Sequence, residues 1–305
     1  MKRLLIYSGL LCAGMLCGQT PAERKITLSD IQRMLKDENS ELSKLKRDIM
    51  RQGDTNNLFY FPTHDQPATP AKWGFLYEDV NFKSSDGTNL HGWFLKARAS
   101  KPKGTIVFSH GNAGSLGHHL GFVMWMAEAG YQVFMYDYRG FGKSSGELNR
   151  RGMVEDAKAA FQYIQTRKDV RSDRLISYGH SLGGAKSLAA LAESRPDGLK
   201  AIVVDGAFSS YQAMAKQVAG EIGSELITDE FSPKDLIAKI TKTPLLVVHG
   251  QKDQVVPFSQ GKEIFDLANE PKTLFDVKDG THGDTLSRDA GAYRKKMIEW
   301  LDGVI

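Results

Sequence analysis

The chain has 305 residues, 41% of them apolar and 25% charged, enough to bury the core of one large α/β domain or two smaller ones. Its formal charge of +4 is small for that length and the basic residues are dispersed, which argues against a nucleic-acid partner. Both cysteines, Cys12 and Cys17, lie near the N-terminus, so the rest of the chain has no disulfide or thiol chemistry.

Residues 1–18 begin with Lys2 and Arg3 and continue into an apolar run from Leu4 to Leu16, the layout of a secretory signal and shorter than a membrane span of about 20 residues. Export, to a periplasm or out of the cell, is therefore expected. Cleavage, lipidation at Cys17 and retention as an N-terminal membrane anchor all stay open. An N-terminal extension follows over residues 19–72. Within it Leu28, Ile31, Leu35, Leu42, Leu45 and Ile49 share one helical face, and Ser29 with Gln32 has capping-box spacing, so an amphipathic helix is predicted over 28–49. Pro62, Pro67 and Pro70 mark an irregular connection to a domain expected over 73–305.

That domain opens with two β-rich runs, 76–83 and 89–96, around an Asp86-Gly87 hairpin signal, so the sheet is expected to start antiparallel. From Gly104 onward, short apolar strands alternate with helical patterns. Strands are predicted at 105–109, 131–136, 174–178, 201–204, 245–248 and 273–277, and helices at 117–129, 152–167, 185–192 and 288–302. Nearly continuous apolar strands separated by amphipathic helices predict a mostly parallel sheet covered on both faces. The interval of about 207–243 is long enough for a small helical lid, with Met214, Val218 and Ile222 at helical spacing.

In such a sheet ligands bind beyond the carboxyl ends of the strands. The strand ending at Tyr178 runs into Gly179-His180-Ser181-Leu182-Gly183, a strand, tight turn and helix with a serine at its apex. Gly179 and Gly183 remove the Cβ atoms that would collide where strand and helix nearly touch. A serine hydroxyl needs a base and a carboxylate to orient that base. His282, on the glycine-flanked loop Gly280-Thr281-His282-Gly283, is the candidate base. His110, His180 and His249, at strand ends, read as structural, and His118 and His119 as a helix face or its approach. Asp253 is the preferred acid, with Asp205 as its competitor. The candidate oxyanion donors are the backbone N–H of Leu182 and that of Asn112 or Ala113, in the loop His110-Gly111-Asn112-Ala113-Gly114. The segment Asp137–Gly142 reads as a loop tie through its Arg and Asp.

With the elbow, this loop and the order Ser, Asp, His, residues 73–305 resemble the serine hydrolases of the α/β-hydrolase superfamily. The branch they resemble carries His-Gly-Asn-Ala-Gly, Asp-Tyr-Arg-Gly-Phe-Gly and Gly-His-Ser-Leu-Gly-Gly motifs, and includes esterases, acyl-protein thioesterases and lysophospholipase-like relatives. The resemblance implies an α/β-hydrolase fold, Ser181 as nucleophile, Asp253 as acid, His282 as base, and a small-molecule ester or thioester substrate. Neither a metal nor an organic cofactor is implied. A serine peptidase and a non-catalytic binding protein of the same fold are the alternative readings.

Overall fold

The computed structural model describes Asp37 and residues 60–305. The signal segment, both cysteines and, Asp37 aside, the helix expected over 28–49 lie outside the described residues.

Among the described residues, eight strands form one sheet: β1 (Tyr77–Lys83), β2 (Asn89–Leu95), β3 (Thr105–Ser109), β4 (Gln132–Tyr136), β5 (Leu175–His180), β6 (Leu199–Asp205), β7 (Leu245–Gly250) and β8 (Lys272–Val277). Their order across the sheet is β8-β7-β6-β5-β3-β4-β2-β1. Only β2 runs antiparallel to its neighbours, β1 on one side and β4 on the other. The β1–β2 turn closes as expected at Asp86-Gly87, where Gly87 takes the positive φ of +85° that a side chain disfavours.

The fully buried strands read as apolar runs because both faces are covered. Along β3, Val107 packs into one core with Phe134, Leu188, Ile202 and Val247, while Ile106 and Phe108 pack into the other with Val133, Tyr178, Val203 and Val248. Helices α1 (Met124–Glu128), α2 (Arg150–Thr166), α3 (Leu182–Glu193), α4 (Tyr211–Leu226), α5 (Pro233–Leu236), α6 (Phe258–Leu267) and α7 (Arg288–Val304) connect or cover the strands.

The connections differ from the sequence reading in several places, among them α6, between β7 and β8, where no helix is predicted. The helix predicted over 117–129 is two single 3₁₀ turns, Leu116–His118 and Leu120–Phe122, followed by the short α1. Gly117 and Gly121 interrupt the run, and glycine costs roughly 1 kcal/mol against alanine inside a helix. The lid helix α4 is broken at Ala219 and Gly220, which leave helical geometry, so Met214 and Val218 belong to one half and Ile222 to the other. Upstream of β1, the proline-punctuated connection is more ordered than its composition suggests: Phe61–Pro62 pairs in parallel with Ala113–Gly114.

Arg139 ties its loop down through partners other than the neighbouring aspartate. Its guanidinium makes a forked contact with the buried Asp156, at 2.8–3.2 Å, and reaches Asp86 at 2.8 Å. Asp137 instead accepts the Leu116 N–H at 3.0 Å.

The chain passes from β3 to β4 on one side of it and then crosses back to β5 on the other, so the topological switch lies beyond the carboxyl ends of β3 and β5. The candidate residues converge there.

Candidate active site

Ser181 sits between β5 and α3 with φ of +53° and ψ of −119°, a conformation L-residues rarely adopt. Holding a non-glycine residue in such a region costs on the order of 1–3 kcal/mol. The surrounding packing enforces it. The Ser181 N–H donates to the Asp205 carbonyl at 2.9 Å, and the Gly184 N–H closes back on the Ser181 carbonyl at 3.0 Å. A Cβ on Gly179 would lie 2.5 Å from the Gly183 carbonyl oxygen, and one on Gly183 would run into the Ser109 carbonyl. Both glycines thus permit α3 to start directly against β3 and β5.

The Ser181 Oγ lies 3.0 Å from the His282 Nε2, and the His282 Nδ1 lies 2.8 Å from the Asp253 Oδ2. An ionised carboxylate only accepts, so the Nδ1–H donates to Asp253 and Nε2 is left to accept the serine proton. The other Asp253 oxygen accepts the Val255 and Val256 N–H groups at 2.9 and 2.8 Å. Burial pushes the Asp253 carboxyl up. The His282 hydrogen bond and charge, with the two backbone amides, outweigh that and hold it below the usual carboxylate range.

Asp205, the competitor, is near but engaged elsewhere. Its oxygens accept from Thr285 Oγ1 at 2.7 Å and from the Tyr178 hydroxyl at 3.3 Å. Its burial raises its pKa to about 6, against which the Thr285 hydrogen bond and the His282 charge act only in part. Because the folded value is raised, Asp205 contributes stability that is present below pH 4 and is lost as pH rises through about 6. A two-unit shift corresponds to roughly 3 kcal/mol. Thermal melts at pH 4 and 7 should therefore show Asp205→Asn gaining stability relative to the parent by about this amount as pH rises; parallel pH dependences would contradict a protonated, buried Asp205.

Four buried histidines, three at strand ends and His119 between the two 3₁₀ turns, have a role that their positions did not announce. Each donates one ring N–H to a backbone carbonyl of a loop carrying the site: His110 Nδ1 to Gly111 (2.7 Å), His119 Nε2 to Ala113 (2.8 Å), His180 Nε2 to His282 (2.9 Å) and His249 Nε2 to Val256 (2.9 Å). Burial lowers the pKa of each, that of His180 to about 3 with help from the neighbouring His282. They are neutral clamps at physiological pH, and His119 is one of them rather than part of a helix face.

The candidate donors surround a cavity of about 300 Å³. Asn112, Ala113, Leu182, Ser181 and His282 line it together with Tyr60, Phe208, Tyr211, Met214, Val255 and Val256. Tyr60, Val255 and Val256 are additions to the sequence reading. Tyr60 belongs to a stretch too short for periodicity to show. Val255 and Val256, two and three residues after Asp253, were legible only as an apolar pair. Met214 and Phe208 of the predicted lid interval reach the cavity, whereas Val218 is 53% exposed. No group of metal-ligating side chains occurs among the described residues.

A mostly parallel sheet with helices on both faces, a strained serine after its fifth strand and a histidine–carboxylate pair facing that serine define an α/β-hydrolase fold. Residues 100–232 match the model of a family described as serine aminopeptidase, S33. Over 249 residues the chain is 37% identical to the uncharacterized protein YfhR of Escherichia coli O157:H7, which spans 80% of this chain and 86% of YfhR. It is 33% identical over 254 residues to the alpha/beta hydrolase domain-containing protein WAV2 of Arabidopsis thaliana, covering 77% and 82% of the two chains. A solved esterase of Pyrococcus furiosus superposes with a TM-score of 0.68 at 20% identity, over 81% of this chain and 98% of that one, a likeness of fold. The chain belongs to the α/β-hydrolase family.

Proposed function

We propose that this α/β hydrolase is a serine esterase or thioesterase that works through an acyl-enzyme. The observation carrying the proposal is the continuous path Ser181 Oγ, His282 Nε2, His282 Nδ1, Asp253 Oδ2, with steps of 3.0 and 2.8 Å, opening on an apolar cavity. Ser181 attacks the substrate carbonyl as its proton passes to His282 Nε2. The oxyanion is held by the Leu182 N–H and that of Asn112 or Ala113. Collapse breaks the carbonyl–oxygen or carbonyl–sulfur bond, His282 returns the proton to the leaving group, and water repeats the cycle to free the acid.

The cavity supports an ester or thioester over a peptide with a free amino terminus. No Asp or Glu side chain is among its described lining residues, so none of those side chains offers an α-ammonium group a carboxylate partner. Its wall of tyrosine, phenylalanine, methionine and valine suits an uncharged acyl group. The peptidase reading is favoured only by the description of the matched family model. Export is also part of the proposal, with membrane anchoring through the N-terminal segment as one of its alternative forms, and rests on Lys2, Arg3 and the apolar run after them.

A fluorophosphonate is expected to label the parent protein and leave Ser181→Ala unlabelled. A panel of p-nitrophenyl esters, acyl thioesters and aminoacyl amides should then show turnover of neutral esters or thioesters. Preferred turnover of aminoacyl amides would transfer the site to the peptidase reading, and a folded protein with an unreactive Ser181 would make it a binding protein.

A further inference from the structure

The loop His110–Gly114 is not held by its own domain strands alone. A segment from the N-terminal side pairs with it and is also hydrogen-bonded to the residues that flank it. The Phe61 N–H donates to the Asn112 carbonyl at 3.0 Å, and the Thr63 N–H donates to the Gly114 carbonyl at 3.0 Å. Ser115 Oγ donates to the Asp65 carbonyl at 2.6 Å. The Gln66 side chain accepts the Gly117 N–H at 3.1 Å while its amide nitrogen donates to Asp137 at 3.3 Å. On the far side, the Gly142 N–H donates to the Thr63 carbonyl at 2.9 Å, and His64 Nδ1 donates to the Gly142 carbonyl at 2.9 Å. Tyr60, at the head of this segment, lines the cavity itself.

We propose that Tyr60–Gln66 is a positioning strap for the oxyanion loop, so that the region upstream of the sheet completes the site rather than merely leading to it. This rests on the serine-hydrolase reading above. In a trans peptide the N–H points opposite to the C=O. The Asn112 carbonyl is engaged by Phe61, so the Ala113 N–H of the same plane is turned away from the strap and left available to the cavity that Ala113 lines. The preceding plane is fixed in the same manner by His110 Nδ1 on the Gly111 carbonyl, which orients the Asn112 N–H. Whichever of the two amides meets the oxyanion, the loop holding it is set from one side by a buried histidine and from the other by the strap. Such donors stabilise a transition state only when they are fixed before charge develops.

Phe61→Pro in the full chain deletes the N–H that engages Asn112. Gln66→Leu deletes the side-chain ties to Gly117 and Asp137 and leaves every backbone donor intact, which keeps the test decisive where the proline variant does not fold. Both are to be assayed with p-nitrophenyl butyrate and with a hexyl trifluoromethyl ketone. This ketone adds Ser181 Oγ to its carbonyl carbon, turns the carbonyl oxygen into an oxyanion, passes the serine proton to His282 and releases no leaving group. Removing an oxyanion donor outright costs about 10²–10³-fold in kcat. Loosening one should lower kcat by roughly tenfold to a hundredfold, weaken ketone inhibition by the same factor and leave KM nearly unchanged. Phe61→Ala, which keeps the N–H, is expected to retain the parent ratio of ketone affinity to KM. An unchanged ratio in Gln66→Leu and Phe61→Pro, with Ser181 still labelled by fluorophosphonate, overturns the strap. Absence of labelling in the parent protein overturns the hydrolase reading and the strap with it.

Discussion

Asp253→Asn is expected to lower kcat by about 10⁴-fold, whereas Asp205→Asn is expected to lower it by less than about tenfold. The first change leaves the size of the side chain intact but replaces an acceptor by a group that can also donate. His282 then has no reason to keep its proton on Nδ1, and the imidazole that results offers an N–H to the serine instead of a lone pair. A loss of this size corresponds to about 5 kcal/mol of transition-state stabilisation. Asp205 is close in space, yet its oxygens face Thr285 and Tyr178 rather than His282. An asparagine there can still accept from Thr285 and meet the Tyr178 hydroxyl. Steady-state kinetics on the two variants, with near-ultraviolet circular dichroism to establish folding, compare the two carboxylates directly. Equal losses, or a larger one at Asp205, would reassign the orienting acid.

Gly183→Ala should destabilise the fold by about 3 kcal/mol or more. The added methyl meets the Ser109 carbonyl and lies 2.6 Å from the His110 carbonyl oxygen, both of them backbone. Backbone of a buried strand cannot rotate aside as a side chain does, so α3 has to separate from β3. That movement also displaces Ser181 and Leu182, at the first turn of the helix. For a domain of this size the effect corresponds to a fall in Tm of roughly 6–12 °C. Gly121→Ala is the comparison: its Cβ would meet nothing within 4 Å, and its φ is not in the left-handed range. That change should stay within about 0.5 kcal/mol, as for ordinary surface substitutions. Thermal and urea unfolding of the pair measure the close approach of helix and strand. Similar melting points would show that it is not a constraint.

The strap and the histidine clamps together explain how a loop rich in glycine presents fixed amides. Gly111 and Gly114 let the loop take its path, and that freedom is then removed by hydrogen bonds to its carbonyls from His110, His119, Phe61 and Thr63. Burial favours the neutral form of both imidazoles, which suits them to these contacts at physiological pH.

Much of this architecture was written locally. Alternating apolar strands and amphipathic helices specify a parallel sheet, since only strands buried on both faces are apolar throughout. The motif Gly179-His180-Ser181-Leu182-Gly183 specifies the elbow, because strain, close approach and helix start all fall within five residues. Contacts between distant segments were decided by the tertiary structure. Ser181 and His282 stand 101 positions apart and meet only when β5 and β8 lie in one sheet with their carboxyl ends aligned. The choice of Asp253 over Asp205 as the partner of His282 depends on which carboxylate faces the imidazole, a matter of a few ångströms that no spacing encodes. The strap was invisible for the same reason. Two residues of parallel ladder, Phe61 and Pro62, have no period, and their partners, Ala113 and Gly114, arrive from far downstream. Patterns of polarity record how a segment meets water and core, while a site is made by segments meeting one another.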